Sequence, residues 1–365
     1  MAPGVLALLG SGETAPGMTR VHRALLARHP DVRALTLDTP YAFQENVPQM
    51  TEKLVSYFQR SLHVTLAPVH FGRYDETTEL ERAVVKERVR AATYLFAGPG
   101  SPSYALAQWR PLGLADDFAR ALRSGATLCF SSAAAATLGS WAAPIYEIYK
   151  VGAEPHWLDG LDLTAALGLE CVVIPHWNNH EGATYDTSRC YLGERRLALL
   201  EAQLPTTTSI LGVDEHTALI LDLDADTLTV TGRGQGHWRR HGTVTTLDNG
   251  TTTPLRLLRT GELTTRASTV TPLVDDDSDT SLGERAALGG ADGLEALARL
   301  VQLAQGATPS ALSAQQLVPP LLALRERARR EGLYAFADEL RDLLISAGVE
   351  IRDEPGGTTW TLRPG

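Results

Sequence analysis

Ser132 stands after an apolar run, Ala126-Thr127-Leu128-Cys129-Phe130-Ser131, and directly before Ala133-Ala134-Ala135-Ala136-Thr137-Leu138-Gly139. The pattern predicts a buried strand feeding a helix of small residues, with a hydroxyl at the junction. Such a turn lifts a side-chain oxygen above a sheet and aims the first helical amides at charge developing beside it. Ser is also a favoured N-cap, so the same pattern fits a plain strand–helix junction. A nucleophilic serine needs a base. His176 follows the apolar run Cys171–Ile174 after Pro175, with Trp177 beside it to exclude water. A base needs an orienting carboxylate, and Gly212-Val213-Asp214-Glu215-His216-Thr217-Ala218 offers Glu215 between two strand-like runs. Gly98-Pro99-Gly100-Ser101 adds backbone amides little obstructed by Cβ, and an oxyanion site needs such amides beside that of Ala133.

The elements that must position these groups alternate. Val5–Leu9, Val32–Leu37, Val64–Val69, Thr93–Phe96 and the run into Ser132 read as strands. Thr19–Arg28, Gln49–Ser61, Leu80–Ala91 and Leu114–Ser124 read as the helices between them. This alternation specifies an α/β fold, a mostly parallel sheet flanked by helices, with chemistry at the carboxyl ends of the strands. Gly10-Ser11-Gly12, Gly98-Pro99-Gly100 and Ser132 all fall at such ends. After Gly168 come another strand at Cys171–Ile174, a helix over Arg195–Leu204, and short strands at Ser209–Val213, Ala218–Leu223 and Thr227–Thr231 that read as antiparallel. Residues 1–245 therefore form one domain. Residues 246–290, rich in Thr, Asp, Gly and Ser, read as a linker or extended segment. Residues 291–365 read as a small helical domain with a strand-like tail.

Composition sets the frame. The chain has 365 residues, 44% hydrophobic and 21% charged, with a net charge of -10. That charge disfavours nucleic acid or an anionic membrane as a partner of the whole molecule. The three cysteines, Cys129, Cys171 and Cys190, show no CxxC spacing and suggest a reduced, cytoplasmic protein. No stretch approaches the roughly 18 apolar residues of a membrane helix. Gly10-Ser11-Gly12 lacks the rest of a dinucleotide fingerprint. His176 and His180 have the spacing of a metal pair on a helix, but Pro175, Asn178 and Asn179 argue against a helix there, so no metal is expected. Gly232-Arg233-Gly234-Gln235-Gly236-His237 reads as a turn between strands, and Arg239-Arg240-His241 as a solvated edge.

Four motifs, in order, resemble the peptidase S51 family, which contains dipeptidase E and cyanophycinase. Phe96-Ala97-Gly98-Pro99-Gly100-Ser101-Pro102 is similar to its glycine loop, and Ser132-Ala133-Ala134-Ala135 to its serine elbow. Ile174-Pro175-His176-Trp177 is similar to its histidine strand, and Leu211–Ala218 to its acidic run. The resemblance covers roughly residues 5–237. It implies a class I glutamine amidotransferase-like, flavodoxin-like fold. It also implies a cofactor-independent serine hydrolase with Ser132 as nucleophile, His176 as base and Glu215 as its orienter, acting on a peptide-like amide with Gly100 and Ala133 at the oxyanion. The sequence departs from the family at Phe130 and Ala134, where the elbow usually has glycines, and at Pro99, which has no N–H. Phe130 and Pro99 favour the alternative of a catalytically silent binding or adaptor protein for a peptide, amino acid or tRNA. Ser101, Asn178, Asn179 and Arg189 are expected at the substrate, with Tyr185, Asp186, Arg195 and Arg196 on or beyond the same polar loop. A solvated, salt-bridged loop is the competing reading. The stretch Trp141–Gly168, which contains Glu147, His156 and Trp157, is long enough for a lid or an interface. Members of that family often dimerise, so a homodimer is also an expectation.

The carboxyl-terminal segment has a resemblance of its own. Arg325–Arg330, then Tyr334-Ala335-Phe336-Ala337-Asp338-Glu339-Leu340-Arg341, then Gly348–Asp353 and Gly357–Trp360 are similar to the end of cysteinyl-tRNA synthetases. That implies tRNA as a candidate partner. Residues 321–365 hold seven Arg against eight Asp or Glu, so the segment is no basic patch, and a helical hairpin for docking or dimerisation is the favoured reading of it.

Overall fold

The computed structural model describes residues 4–182, 184–263 and 269–270, the helical positions 318, 322, 325, 326 and 341, and two strands at 349–354 and 357–362. The chain divides into two compact units, Met1–Val274 and Asp275–Gly365.

The first unit begins β1 (Val5–Leu9), α1 (Pro16–Leu26), β2 (Ala34–Leu37), α2 (Val47–Tyr57), β3 (Leu66–Val69), α3 (Glu79–Ala91) and β4 (Tyr94–Ala97). It continues with α4 (Pro102–Leu112), α5 (Leu114–Arg123), β5 (Thr127–Ser131), α6 (Ala133–Ala136), β6 (Trp141–Ala142), β7 (Leu158–Asp159) and β8 (Cys171–Ile174). Then come α7 (Gly193–Glu201), β9 (Ser209–Val213), β10 (Thr217–Asp222), β11 (Thr227–Gly232) and β12 (Gly236–Arg240). The last elements are β13 (Thr243–Leu247), β14 (Thr251–Pro254), α8 (Leu255–Thr260) and β15 (Thr269–Val270).

The main sheet has nine strands in the order β15-β14-β11-β10-β1-β5-β4-β2-β3. From β1 to β3 the neighbours are parallel. From β1 to β15 they are antiparallel. The parallel half reads as continuous apolar runs because both faces are covered. Leu6, Leu8, Leu95, Leu128 and Phe130 pack into one core, whereas Val5, Ala7, Leu9, Phe96 and Cys129 pack into the other. A smaller sheet, β13-β12-β9-β8, carries β8 parallel to β9. The chain passes from β9 in this sheet to β10 in the main one, so the connection 214–216 lies at the junction of the two.

Local sequence explains where helices begin. The Thr78 side chain accepts from the Glu81 amide while Glu81 reaches back to the Thr78 amide, a complete capping box for α3. Ser101 caps α4 and Pro102 is its first residue. That helix is bracketed by prolines at 102 and 111 and is not among those expected from periodicity. The first unit extends past residue 245: Thr251-Thr252-Thr253-Pro254 pairs with β11, and the β-branched threonines fit a half-buried pleat. Arg239, expected on a solvated edge, is buried. It lies on β12, between β9 and β13, and its guanidinium meets Glu194 at 2.5 Å and Glu201 at 2.8 Å.

In the second unit, β16 (Val349–Glu354) and β17 (Gly357–Leu362) form an antiparallel hairpin pairing Ile351 with Trp360. The helices expected from Leu294 to Ala347 lie outside the described residues apart from the positions named above. No helix among the described residues is long and apolar enough to cross a membrane.

Candidate active site

β5 ends against β1, and the Ser132 amide donates to the Leu9 carbonyl at 3.0 Å, prolonging that ladder by one bond. The chain then turns sharply. Ser132 has φ 51° and ψ -119°, a conformation costly for any residue with a Cβ, and α6 starts at the next residue. The turn sets the Ser132 hydroxyl 2.8 Å from His176 Nε2. His176 Nδ1 stands 2.7 Å from Glu215 Oε1. An ionised carboxylate only accepts, so Nδ1 carries the proton and Nε2 is left to accept from Ser132. The His176 bond, with help from Asn179 and against partial burial, holds the Glu215 carboxyl below the usual carboxylate range. Three residues from three strand ends are thus in one hydrogen-bonded line. Cys129 is no rival nucleophile: burial pushes its thiol up to about 12.

The two asparagines expected at a substrate both bond to Glu215. Asn179, fully buried, donates through Nδ2 to Glu215 Oε1 at 3.1 Å. Asn178 accepts from the Glu215 amide at 2.8 Å. The backbone around His176 is pinned as well, since its carbonyl accepts from the amides of Asn179 and Cys190, both at 3.1 Å.

The glycine loop approaches from the β4 side. The Ser101 amide donates to the Pro40 carbonyl at 2.7 Å, and the Ala134 amide to the Gly98 carbonyl at 3.3 Å, tying the loop to the elbow. Gly100 has φ 149°, and an added Cβ would lie 1.9 Å from the Pro40 oxygen, so only glycine fits. The amide of Ala133 is the first of α6 and has no intrahelical partner. Ser101 Oγ accepts from the Tyr104 amide at 3.2 Å and lies 3.0 Å from Ser103 Oγ.

The two elbow residues that depart from the expected glycine pattern, Phe130 and Ala134, are accommodated by packing. Phe130 points into the core against Trp109 and Phe118, with ring centroids 6.3 and 5.3 Å away. Ala134 is fully buried there too.

A wall closes one side. Ser103 donates to Glu147 at 2.5 Å, and Glu147 begins a π-helical turn over Glu147–Val151. Tyr149 on that turn packs on Tyr191 at 5.1 Å and is hydrogen-bonded to the Tyr185 hydroxyl. The Tyr191 ring lies 6.2 Å from that of His176, and its hydroxyl donates to Glu181 at 2.6 Å. This wall includes both Glu147, through Ser103, and Tyr185, through Tyr149, and nothing in their sequence spacing signals it. The surrounding stretch is no separate lid: Ala143, Ile145 and Ile148 share a core with Val172 and Ile174. His156 bonds the Glu154 carbonyl, and Trp157 bonds the Leu200 carbonyl.

Arg189, expected to hold a substrate carboxylate, lies over Trp177. Its guanidinium stands 4.4 Å from the ring centroid and Nη1 donates to the Trp177 carbonyl at 3.2 Å. It opens a left-handed turn, with φ of 60°, 59° and 64° at Arg189, Cys190 and Tyr191. Each such residue costs about 1–2 kcal/mol, and the turn delivers Tyr191 to the wall. Asp186 binds Ser188 and the Glu194 amide, and Arg196 reaches the Leu192 carbonyl, so these residues knit the loop together. Among the described residues no cluster of three or more His, Cys, Asp or Glu could hold a metal ion.

Comparison with known proteins divides the chain in the same way. The fold resembles the crystal structure of a peptidase from an acI-B1 Actinobacterium, with TM-score 0.54 and 20% identity over 69% of this chain and 97% of that one. The likeness is one of fold. Residues 318–360 match the cysteinyl-tRNA ligase anticodon binding domain family. The chain is also similar to cysteine–tRNA ligases of Salinibacter ruber, 45% identical over 58 residues, and of Beutenbergia cavernae, 41% identical over 71 residues. The matches cover 16% and 20% of this chain but only 11% and 15% of the ligases.

Proposed function

We propose that the chain is a serine hydrolase of the S51 type that cleaves a peptide-like amide in a small peptide or amino-acid conjugate. The observation that carries this reading is the strained Ser132 with its hydroxyl 2.8 Å from His176 Nε2, while Nδ1 of the same ring is bonded to Glu215. Ser132 Oγ attacks the carbonyl carbon as its proton passes to His176 Nε2. Glu215 holds the ring in the productive tautomer and stabilises the imidazolium that forms. The amides of Ala133 and Gly100 face the oxyanion. Collapse breaks the C–N bond, and His176 returns the proton to the leaving amine. Water then attacks the acyl-serine, gives a proton to His176, and releases the acid as Ser132 regains its hydrogen. The peptidase fold of the Actinobacterium structure supports the same class, and no step needs a cofactor. Labelling with a fluorophosphonate probe, followed by peptide mapping, tests the proposal. Adduct at Ser132, absent in Ser132→Ala and His176→Ala, is the expected result. A folded wild-type chain that takes no label favours the silent binding protein instead.

A second reading concerns partners and rests on the match at 318–360. On that reading the carboxyl-terminal segment brings the hydrolase to tRNA or an aminoacyl-tRNA. Fluorescence anisotropy of labelled tRNA with the full chain, before and after Arg329→Glu and Arg330→Glu, tests it. Equal binding by both chains, or none by either at low salt, removes it. A homodimer, the other partner expected, is tested by sedimentation of the full chain.

A further inference from the structure

Beside the Ser132–His176–Glu215 line runs a second histidine–carboxylate pair that the reaction does not use. Asp214 immediately precedes Glu215, and Trp177 immediately follows His176. His237 on β12 joins the two. Its Nε2 lies 2.9 Å from Asp214 Oδ1, and its ring stacks on Trp177 at 5.1 Å with an interplanar angle of 15°. All three residues are buried, with 2% of Trp177, 5% of Asp214 and 9% of His237 exposed. Asp214 Oδ2 accepts from the Gln235 amide at 2.8 Å, and the Asp214 amide donates to the Gln235 carbonyl at 3.1 Å. The Trp177 amide donates to the Val213 carbonyl at 3.0 Å, and Arg189 covers the same indole ring. The ring lies so close to β9 that a Cβ on Gly212 would stand 2.3 Å from it.

We infer that His237 is a positioning residue that fixes the catalytic histidine and its carboxylate relative to each other. The inference rests on the hydrolase reading. His176 and Glu215 sit on the ends of different strands, β8 and β9, and each is followed or preceded by an irregular backbone: φ is 47° at His176 and 53° at His216. Strand pairing holds Ile174 beside Gly212 but ends there. Beyond that point single bonds from Trp177, Asn178 and Asn179 tie the two ends, and His237 braces them by touching the immediate neighbour of each catalytic group. Burying a polar histidine–carboxylate contact is a poor route to stability, since apolar residues of similar volume would pack as well or better. Directional contacts do give a fixed geometry, and a base displaced by about 1 Å loses on the order of 100-fold in rate.

The test is the rate constant for fluorophosphonate labelling of Ser132 in the full chain. His237→Ala is expected to slow labelling by 10-fold or more. It should also broaden or erase the low-field proton resonance of the His176–Glu215 bond, assigned by its absence in His176→Ala. His237→Asn keeps a donor without the ring and His237→Phe keeps a ring without the donor, so each should recover part of the rate. Leu25→Ala, in the core under α1, serves as the control for lost stability and should label at the wild-type rate. The inference is overturned if His237→Ala labels within about twofold of wild type, or if it slows no more than Leu25→Ala with the resonance intact. If His237→Ala does not fold, the same criteria apply to His237→Asn and His237→Phe. A wild-type chain that takes no label removes the hydrolase reading, and this inference with it, before any variant is compared.

Discussion

Replacing Glu215 by Gln separates the charge of the orienting group from its geometry, and the structure says which matters here. Glu215 Oε1 receives two donors, His176 Nδ1 at 2.7 Å and Asn179 Nδ2 at 3.1 Å. A glutamine at this position has one oxygen and one NH2. Two converging donors force the oxygen into the place of Oε1, so His176 keeps its proton on Nδ1 and Nε2 still faces Ser132. Only the charge assistance is lost. A hydrogen bond to a charged group contributes about 1.5–3 kcal/mol and a neutral one about 0.5–1.5 kcal/mol. The difference, about 1–2 kcal/mol, corresponds to a loss of roughly 5- to 30-fold in labelling rate. Removing Asn179 in the same chain frees the glutamine to rotate. Its NH2 can then donate to Nδ1, which drives the ring proton to Nε2 and leaves Ser132 without a base. A wrong tautomer costs on the order of 10⁴-fold. Asn179→Ala alone leaves the carboxylate, which cannot donate, and should cost less than about 10-fold. The double change should therefore fall far below the product of the singles. Second-order rate constants of fluorophosphonate labelling for the four chains measure this coupling. Additive losses, or a Glu215→Gln chain as slow as Glu215→Ala, would show that Asn179 does not fix the orientation of the side chain at 215.

Other consequences are open to simpler assays. Ser132→Gly should abolish labelling yet raise the melting temperature by a few degrees, because it relieves about 1–3 kcal/mol of backbone strain. Ser132→Ala should abolish labelling without that gain. Gly100→Ala should cut labelling by 100-fold or more, since its Cβ would meet the Pro40 oxygen at 1.9 Å and push the loop off the elbow; a labelling rate near wild type would contradict that packing. Burial pushes His22 down to about 4, against 6.5 in an open chain. The unfolded chain therefore takes a proton that the folded chain refuses, and stability falls as pH drops from above 6.5 to about 4. The loss amounts to about 3 kcal/mol. Urea unfolding of wild type and His22→Asn across that range should show the extra slope in wild type alone.

The sequence makes the three central residues legible for one physical reason. Ser132, His176 and Glu215 each follow a run of apolar residues long enough to be a buried strand, and an α/β sheet presents its strand ends to one side. What surrounds them is set by contacts that sequence distance hides. Asn178 and Asn179 can be read as polar neighbours of His176, but their bonds to Glu215 depend on β8 and β9 lying side by side. Arg239 reads as solvent-facing until β12 is seen between two strands, with Glu194 and Glu201 of α7 above it. The left-handed turn at Arg189-Cys190-Tyr191 uses residue types with no preference for that conformation, so nothing in the sequence announces that Tyr191 will face the histidine. The helix α4 lacks a clean apolar period, and its signal was the pair Ser101-Pro102, a cap followed by a first-turn proline.

Phe130 and Ala134 show how a strand–helix elbow keeps its geometry without the usual glycines. A glycine two before the serine is needed only where something crowds that side of the strand. Here residue 130 faces away from the turn, into a core where Trp109 and Phe118 meet it edge-on. Residue 134 likewise faces the interior, and its amide, not its side chain, makes the contact with Gly98. A position that cannot accept a Cβ is Gly100, across the site from the serine. Within the candidate site the steric requirement for glycine lies in the loop that faces Ser132, not in the strand that carries it. On this reasoning Phe130→Gly, though it restores the usual pattern, should not speed labelling. It should destabilise the chain by about 3–5 kcal/mol, the cost of deleting a buried aromatic side chain. A faster chain of undiminished stability would show that the phenyl ring does crowd the elbow.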